Sequence, residues 1–140
     1  MPVHNEQLIQ SDPFVLSKSE VVHAVKKYLN HEGYETRNLG DLCDLTAANE
    51  YHTLFIEAQG NRAEHYKKEV VFSGSQLDEH LSGQLIKLLK NYEKNPAKTL
   101  VMANPDTPRI RKMAENLKSA LDDLGVVRFW VKADGSIEWE

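Results

Sequence analysis

The chain has 140 residues, of which 41% are hydrophobic and 27% are charged, and its net charge is −4 with histidine neutral. This composition is typical of one globular domain with a core of its own, and no apolar run approaches the roughly 20 residues of a membrane-spanning helix. The negative charge argues against tight nonspecific nucleic-acid binding, which depends on lysine and arginine neutralising phosphates.

The start of the chain predicts an intracellular protein with a short N-terminal arm. Residues 1–6 contain no basic flank followed by an apolar core, so we expect no secretory signal. The single cysteine, Cys43, cannot form an intrachain disulfide, and a reducing cytoplasm fits this. Residues 1–16 are polar and show no sustained period. We interpret them as an arm, and residues 17–140 as a single domain.

A first helix is predicted from a capping box, in which Ser17 is the N-cap residue and Glu20 is the acid three positions later. Apolar residues follow at helical spacing as far as Leu29, and Gly33 ends the pattern. Three strands are predicted next, at residues 34–39, 42–47 and 53–59. The turn residues Asn49 and Glu50 lie between the last two strands, which we therefore expect to form an antiparallel hairpin.

The second half of the chain alternates between helices and strands. Helices are predicted at residues 76–92 and 108–124, and strands at residues 99–103, 126–131 and 137–139. The element order is helix, three strands, helix, strand, helix, strand and a short last strand. This order predicts an α/β (α+β) fold, with a mixed central sheet flanked by helices.

Two acidic residues on the predicted hairpin are candidates for a metal site. Glu57 and Gln59 point to one face of their strand because side chains alternate along a strand. Asp44 lies 13 positions before Glu57, on the preceding strand. Carboxylates that meet in this way can hold a hard divalent cation, which metal-assisted phosphodiester cleavage requires. The alternative reading is that both acids are solvated side chains at strand edges.

This order of elements, with an acid on the second strand and Glu-x-Gln on the third, resembles the PD-(D/E)XK nuclease superfamily, which has the restriction-endonuclease-like fold. The resemblance extends over about residues 17–131. Asp44 matches the first acid of the motif, with Asp41 as an alternative, and Glu57 matches the second. The resemblance implies a nuclease that uses Mg²⁺ or Mn²⁺, acts on DNA and often forms a homodimer.

Two helical residues extend the resemblance. Glu20 matches an acid that many members contribute to the metal site, although it also suits the capping box. Gln84 resembles a glutamine that some branches carry on the helix after the motif strand.

The chain departs from the family motif at two points. No proline precedes Asp44 or Asp41, and Gln59 stands where the family usually has lysine. Lysines that could supply the missing charge are Lys87, one turn after Gln84, and Lys67 and Lys68. Two other readings stay open. One is the same fold with decayed catalysis, acting as a binding module, and the other is an unrelated mixed α/β protein that binds another macromolecule.

A basic side of the third predicted helix has two readings. It contains Arg109, Arg111, Lys112 and Lys118. Such a side is usually a solvated face, and phosphate contact is the alternative reading.

Overall fold

A computed structural model describes residues 1–38 and 43–140 of the chain. Its α-helices are α1 (Lys18–His31), α2 (Gly74–Lys94), α3 (Pro108–Glu115) and α4 (Lys118–Leu124). Its strands are β1 (Val3–His4), β2 (Glu35–Arg37), β3 (Leu45–Ala48), β4 (Thr53–Ala58), β5 (Val70–Val71), β6 (Thr99–Pro105), β7 (Val127–Val131) and β8 (Ile137–Trp139). Asp41, the alternative first acid, lies outside the described residues.

Six strands form a mixed sheet in the order β2-β3-β4-β6-β7-β8. Strand β3 is antiparallel to β2 and β4, whereas β4, β6 and β7 are parallel. The parallel strands therefore end at the same edge of the sheet, beside the start of β3. No helix in residues 1–38 and 43–140 is both long and apolar enough to cross a bilayer.

The strand alternation divides the core into two layers. On one face, α1 buries Val21, Val25 and Leu29 against Ile56 and Ala58 of β4 and their neighbours. On the other face, Leu81 and Leu88 of α2 pack on Phe55, Leu100 and Met102. Glu57 lies between Ile56 and Ala58, so its side chain belongs to the α2 face. The mixed α/β class expected from the sequence is confirmed.

The helix predicted at residues 108–124 is wrong in one respect, because the structure divides it into α3 and α4. Asn116 is the C-cap of α3, and Leu117 is the N-cap of α4. The two helices pack in different places: Ile110 lies in the cluster around Trp130, whereas Leu121 lies in the α2-face core. The two helices therefore contribute buried residues to different clusters of the core.

Residues 1–16 contact the domain at several points. Strand β1 pairs with β5 to form a separate two-stranded sheet. Asp12 is buried and accepts two hydrogen bonds from Arg109, at 2.9 and 2.7 Å. Asn61 donates a third hydrogen bond to the Asp12 carboxylate, at 3.1 Å.

Candidate functional site

Asp44 and Glu57 meet where β3 begins and β4 ends. The main-chain N–H of Asp44 donates to Glu57 Oε2 at 2.9 Å, and the N–H of Ala58 donates to Asp44 Oδ2 at 2.9 Å. Each carboxylate therefore bonds to the backbone of the opposite strand. The antiparallel register, in which Leu45 faces Ile56, produces this exchange.

Two lysines reach this pair of acids from opposite faces of the sheet. Lys18, the first residue of α1, places its Nζ 2.8 Å from Asp44 Oδ1. Lys87 of α2 places its Nζ 3.7 Å from Glu57 Oε1. Lys87 was a sequence candidate for the missing motif lysine, whereas Lys18 was not.

The start of α1 is fixed against the end of β4 by Gly60. A Cβ atom at Gly60 would overlap the carbonyl oxygen of Leu16 and would lie 2.7 Å from the backbone N of Lys18. Asn61 holds the same segment, because its N–H donates to Leu16 O at 2.9 Å and its Oδ1 accepts from the Leu16 N–H at 2.7 Å. Only a glycine allows the two backbones to approach so closely, and this approach brings Lys18 to the site.

The Glu57 carboxylate is held in a setting that disfavours its charge. The residue is 2% exposed, and this burial raises its pKa above the ordinary value of 4.5. The nearby Asp44 carboxylate raises the pKa further, whereas the Asp44 N–H, Lys87 and Lys18 lower it. The net increase means that the two lysines and the Asp44 N–H do not fully offset burial and acid–acid repulsion.

Gln84 is brought to the site, where its side chain binds backbone groups. It is buried, and its Nε2 donates to the carbonyl oxygens of Glu57 and Ala103 at 3.2 and 3.3 Å. It therefore joins the ends of the parallel strands β4 and β6. This contact holds the main chain of Glu57 in place.

Gln59 lies just after β4, and its N–H donates to Ala103 O at 3.0 Å. Gln59 lines a cavity of about 10 Å³ together with the polar residues His80, Gln84 and Asn104 and with apolar residues of α2 and α3. This volume is at the lower limit for holding one water molecule.

Glu20 is not brought together with Asp44 and Glu57. It completes the predicted capping box with Ser17 and forms an ion pair with Arg62 at 3.1 Å. The hydrogen bond from the Ser17 N–H is the largest cause of its lowered pKa. Glu20 and Lys18 are two positions apart, about 200° around the helix axis, so they point in different directions. In the described part of the chain, neither Lys67 nor Lys68 forms an ion pair with the two acids.

The described residues bring two carboxylates together at this site. Among residues 1–38 and 43–140, no group of three or more His, Cys, Asp or Glu side chains is arranged around a metal position. Asp44 and Glu57 provide two carboxylates. Mg²⁺ is commonly bound in proteins through one or two carboxylates and keeps several waters. The acid–acid repulsion at Glu57 is what a divalent cation would offset.

Three of the four basic residues on this side of the third predicted helix form ion pairs. Arg109 binds Asp12, and Arg111 binds Asp106 at 2.7 Å while lying 4.3 Å above the centre of the Trp130 ring. Lys118 pairs with Asp122 at 3.0 Å. These contacts favour a structural role for this helix over phosphate binding.

Comparison with known proteins suggests no family or function for this chain. No protein-family model, no curated protein and no solved structure matches this chain. A functional proposal therefore rests on the geometry of the site and on the pattern of its residues.

Proposed function

We propose that this protein is a metal-dependent nuclease of the PD-(D/E)XK type, which hydrolyses phosphodiester bonds of DNA. The observation that supports this most directly is the exchange of hydrogen bonds between Asp44 and Glu57 on neighbouring strands. Two further features agree with a restriction-endonuclease-like fold: the hairpin that carries the acids, and the following helix that leads to a parallel strand.

Asp44 and Glu57 would hold Mg²⁺ or Mn²⁺ in this proposal. When bound, such an ion polarises a phosphodiester and lowers the pKa of a bound water. The chain's own residues complete the setting. Gln84 fixes the backbone of Glu57, and Gln59 lines the small cavity beside Gln84. Lys18 and Lys87 supply positive charge beside the acids, where a phosphate would approach.

The test is cleavage of single- and double-stranded DNA with Mg²⁺ or Mn²⁺. We expect slow cleavage by the wild type, because the neutral Gln59 offers no fixed charge to stabilise the transition state. Glu57→Gln should reduce cleavage to background. Glu115→Gln, at an exposed acid on α3, is the matched control and should cleave as the wild type does. Equal cleavage by wild type and Glu57→Gln would refute the site.

A second candidate function is a binding module with the same fold and decayed catalysis. The observation that favours it is the pair of lysines, which already neutralise part of the acid pair without a metal. If the wild type is inert with every metal and nucleic acid tested, this candidate takes precedence. The homodimer implied by the resemblance remains a prediction.

A further inference from the structure

The four carboxylate oxygens of Asp44 and Glu57 have two kinds of partner. Asp44 Oδ2 and Glu57 Oε2 accept hydrogen bonds from main-chain N–H groups, which the hairpin holds in place. Asp44 Oδ1 and Glu57 Oε1 instead face the ammonium groups of Lys18 and Lys87. A cation entering the site therefore competes with lysines and not with the backbone.

The two lysines differ in how firmly they engage the site. Lys18 lies 2.8 Å from its carboxylate oxygen and its side chain is 39% exposed, whereas Lys87 lies at 3.7 Å and is 51% exposed. The backbone of Lys18 is also fixed, because the start of α1 rests on Gly60. The Lys18 side chain can therefore change conformation while its backbone stays beside the acids.

The position of Lys18 in its helix is unfavourable without an anion. The N-terminus of a helix bears partial positive charge, so a lysine in the first turn is repelled. At the start of α1, the nearby Asp44 carboxylate offsets this repulsion of Lys18. If a divalent cation takes Asp44 Oδ1, the Lys18 ammonium loses that partner and requires another anionic group nearby.

We propose that Lys18 is the phosphate-binding residue of this site, and that it exchanges the Asp44 carboxylate for a phosphate oxygen of DNA when a divalent cation binds. This inference rests on the proposed nuclease function. It assigns Lys18 two measurable properties: competition with the metal when DNA is absent, and one phosphate contact when DNA is bound.

The first experiment measures the affinity for Mn²⁺ alone by titration calorimetry. Lys18→Met removes the competing ammonium, so we expect Mn²⁺ to bind about two- to fivefold more tightly, the range expected for one partly exposed ion pair. Lys27→Met removes the same charge from an exposed position on α1 and is the matched control, with unchanged affinity expected. Equal affinity in the two variants would contradict the competition.

The second experiment measures DNA affinity against salt concentration in Ca²⁺, a hard cation that takes the same kind of oxygen ligand. If Lys18 contacts a phosphate, Lys18→Met should weaken binding and lower the slope of log affinity against log salt by about one. Lys27→Met should retain the wild-type slope. Cleavage with Mg²⁺ should fall at least about tenfold in Lys18→Met, since one transition-state contact is lost, and Lys18→Arg should recover part of it.

The outcomes distinguish the role of Lys18 from the proposed nuclease function. If the wild type binds Mn²⁺ and cleaves DNA while Lys18→Met behaves as Lys27→Met in all three measurements, the role of Lys18 is refuted and the nuclease stands. If the wild type neither binds Mn²⁺ nor cleaves DNA, the role of Lys18 and the nuclease function are both refuted. Tighter Mn²⁺ binding together with a reduced salt slope supports the exchange.

Discussion

At Glu57 the demands of folding and of the proposed chemistry oppose each other. The side chain is almost fully buried beside a second acid, and both factors raise its pKa. A buried acid with a raised pKa destabilises the fold when it is ionised. The same unfavourable charge is what would attract a metal ion, so the cost to stability is the expected signature of a functional residue.

Glu57→Gln should therefore stabilise the metal-free protein at neutral pH while removing its response to Mn²⁺. The amide keeps an acceptor for the Asp44 N–H but carries no charge. The gain in unfolding free energy of Glu57→Gln over wild type should be absent below a pH of about 4.5, the pKa of this carboxyl in the unfolded chain. It should grow as the pH rises toward the raised pKa of Glu57 in the folded protein, and should level off above that pKa. Urea denaturation across this pH range measures the difference. If Glu57→Gln were less stable than wild type at pH 7, the expected stabilisation would be contradicted.

Gln59→Lys should maintain or increase cleavage. The substitution returns a positive charge to the end of β4, next to the two acids, where it can stabilise charge that develops on a phosphate. Gln10→Lys adds the same charge at an exposed position among residues 1–16 and controls for a general increase in DNA affinity. Single-turnover cleavage rates with Mg²⁺ compare the three proteins. A loss of cleavage in Gln59→Lys alone would show that the amide itself is needed.

The sequence predicts the two acids of the site more readily than its lysines. The pairing of Asp44 with Glu57 follows from the short distance along the chain and a hairpin, both of which can be read locally. Lys18 looks like an ordinary member of the first helical turn, because its partner is distant in the sequence. One signal is present: a lysine next to the N-cap opposes the helix dipole, and this predicts a nearby anion.

The placement of α1 on β4 depends on Gly60, so Gly60→Ala tests whether helix position controls the site. The added methyl group would overlap the backbone of Leu16 and Lys18, and overpacking of this kind typically costs about 1–3 kcal/mol. We expect this loss of stability together with a loss of cleavage, because Lys18 moves away from Asp44. Thermal unfolding and DNA cleavage provide the two measurements.

Gly83→Ala is the matched control for this substitution. Gly83 is exposed within α2, and a Cβ atom added there would meet no other atom within 4 Å outside its own stretch of helix. Alanine in a helix interior should stabilise the protein by about 0.5–1 kcal/mol without changing cleavage. If Gly60→Ala behaves in the same way, the close approach of α1 to β4 has no functional importance.

Elements with a strong local pattern are predicted well from the sequence, and those that depend on distant contacts are not. The capping box of α1 and the hairpin of β3 and β4 are set by neighbouring residues. The break between α3 and α4 is missed because Ile110, Ala114, Leu117 and Leu121 continue the helical spacing across it. The pairing of β1 with β5 is missed because each strand has only two residues and the partners lie far apart in sequence.

For the molecule as a whole, the contact between Asp12 and Arg109 joins the first residues to α3. The side chain of Asp12 is 1% exposed and that of Arg109 is 16% exposed. Asp12→Asn leaves the guanidinium without a counter-charge, and breaking one side of a buried pair costs about 3–5 kcal/mol. Urea denaturation should show a loss of this size. Replacing both partners, as Asp12→Asn with Arg109→Met, should cost less, and a larger loss in the double variant would contradict the pairing.

The order in which contacts form along the chain has a consequence for folding. Asp44 and Glu57 lie 13 positions apart, whereas the ion pairs with Lys18 and Lys87 join residues 26 and 30 positions apart. Contacts across short loops have the lower entropic cost and tend to form earlier. The hairpin is then expected to bring two like charges together before either lysine arrives. A divalent cation present during refolding would supply the missing charge at that moment, so the same ion would act first as an aid to folding and later as a cofactor.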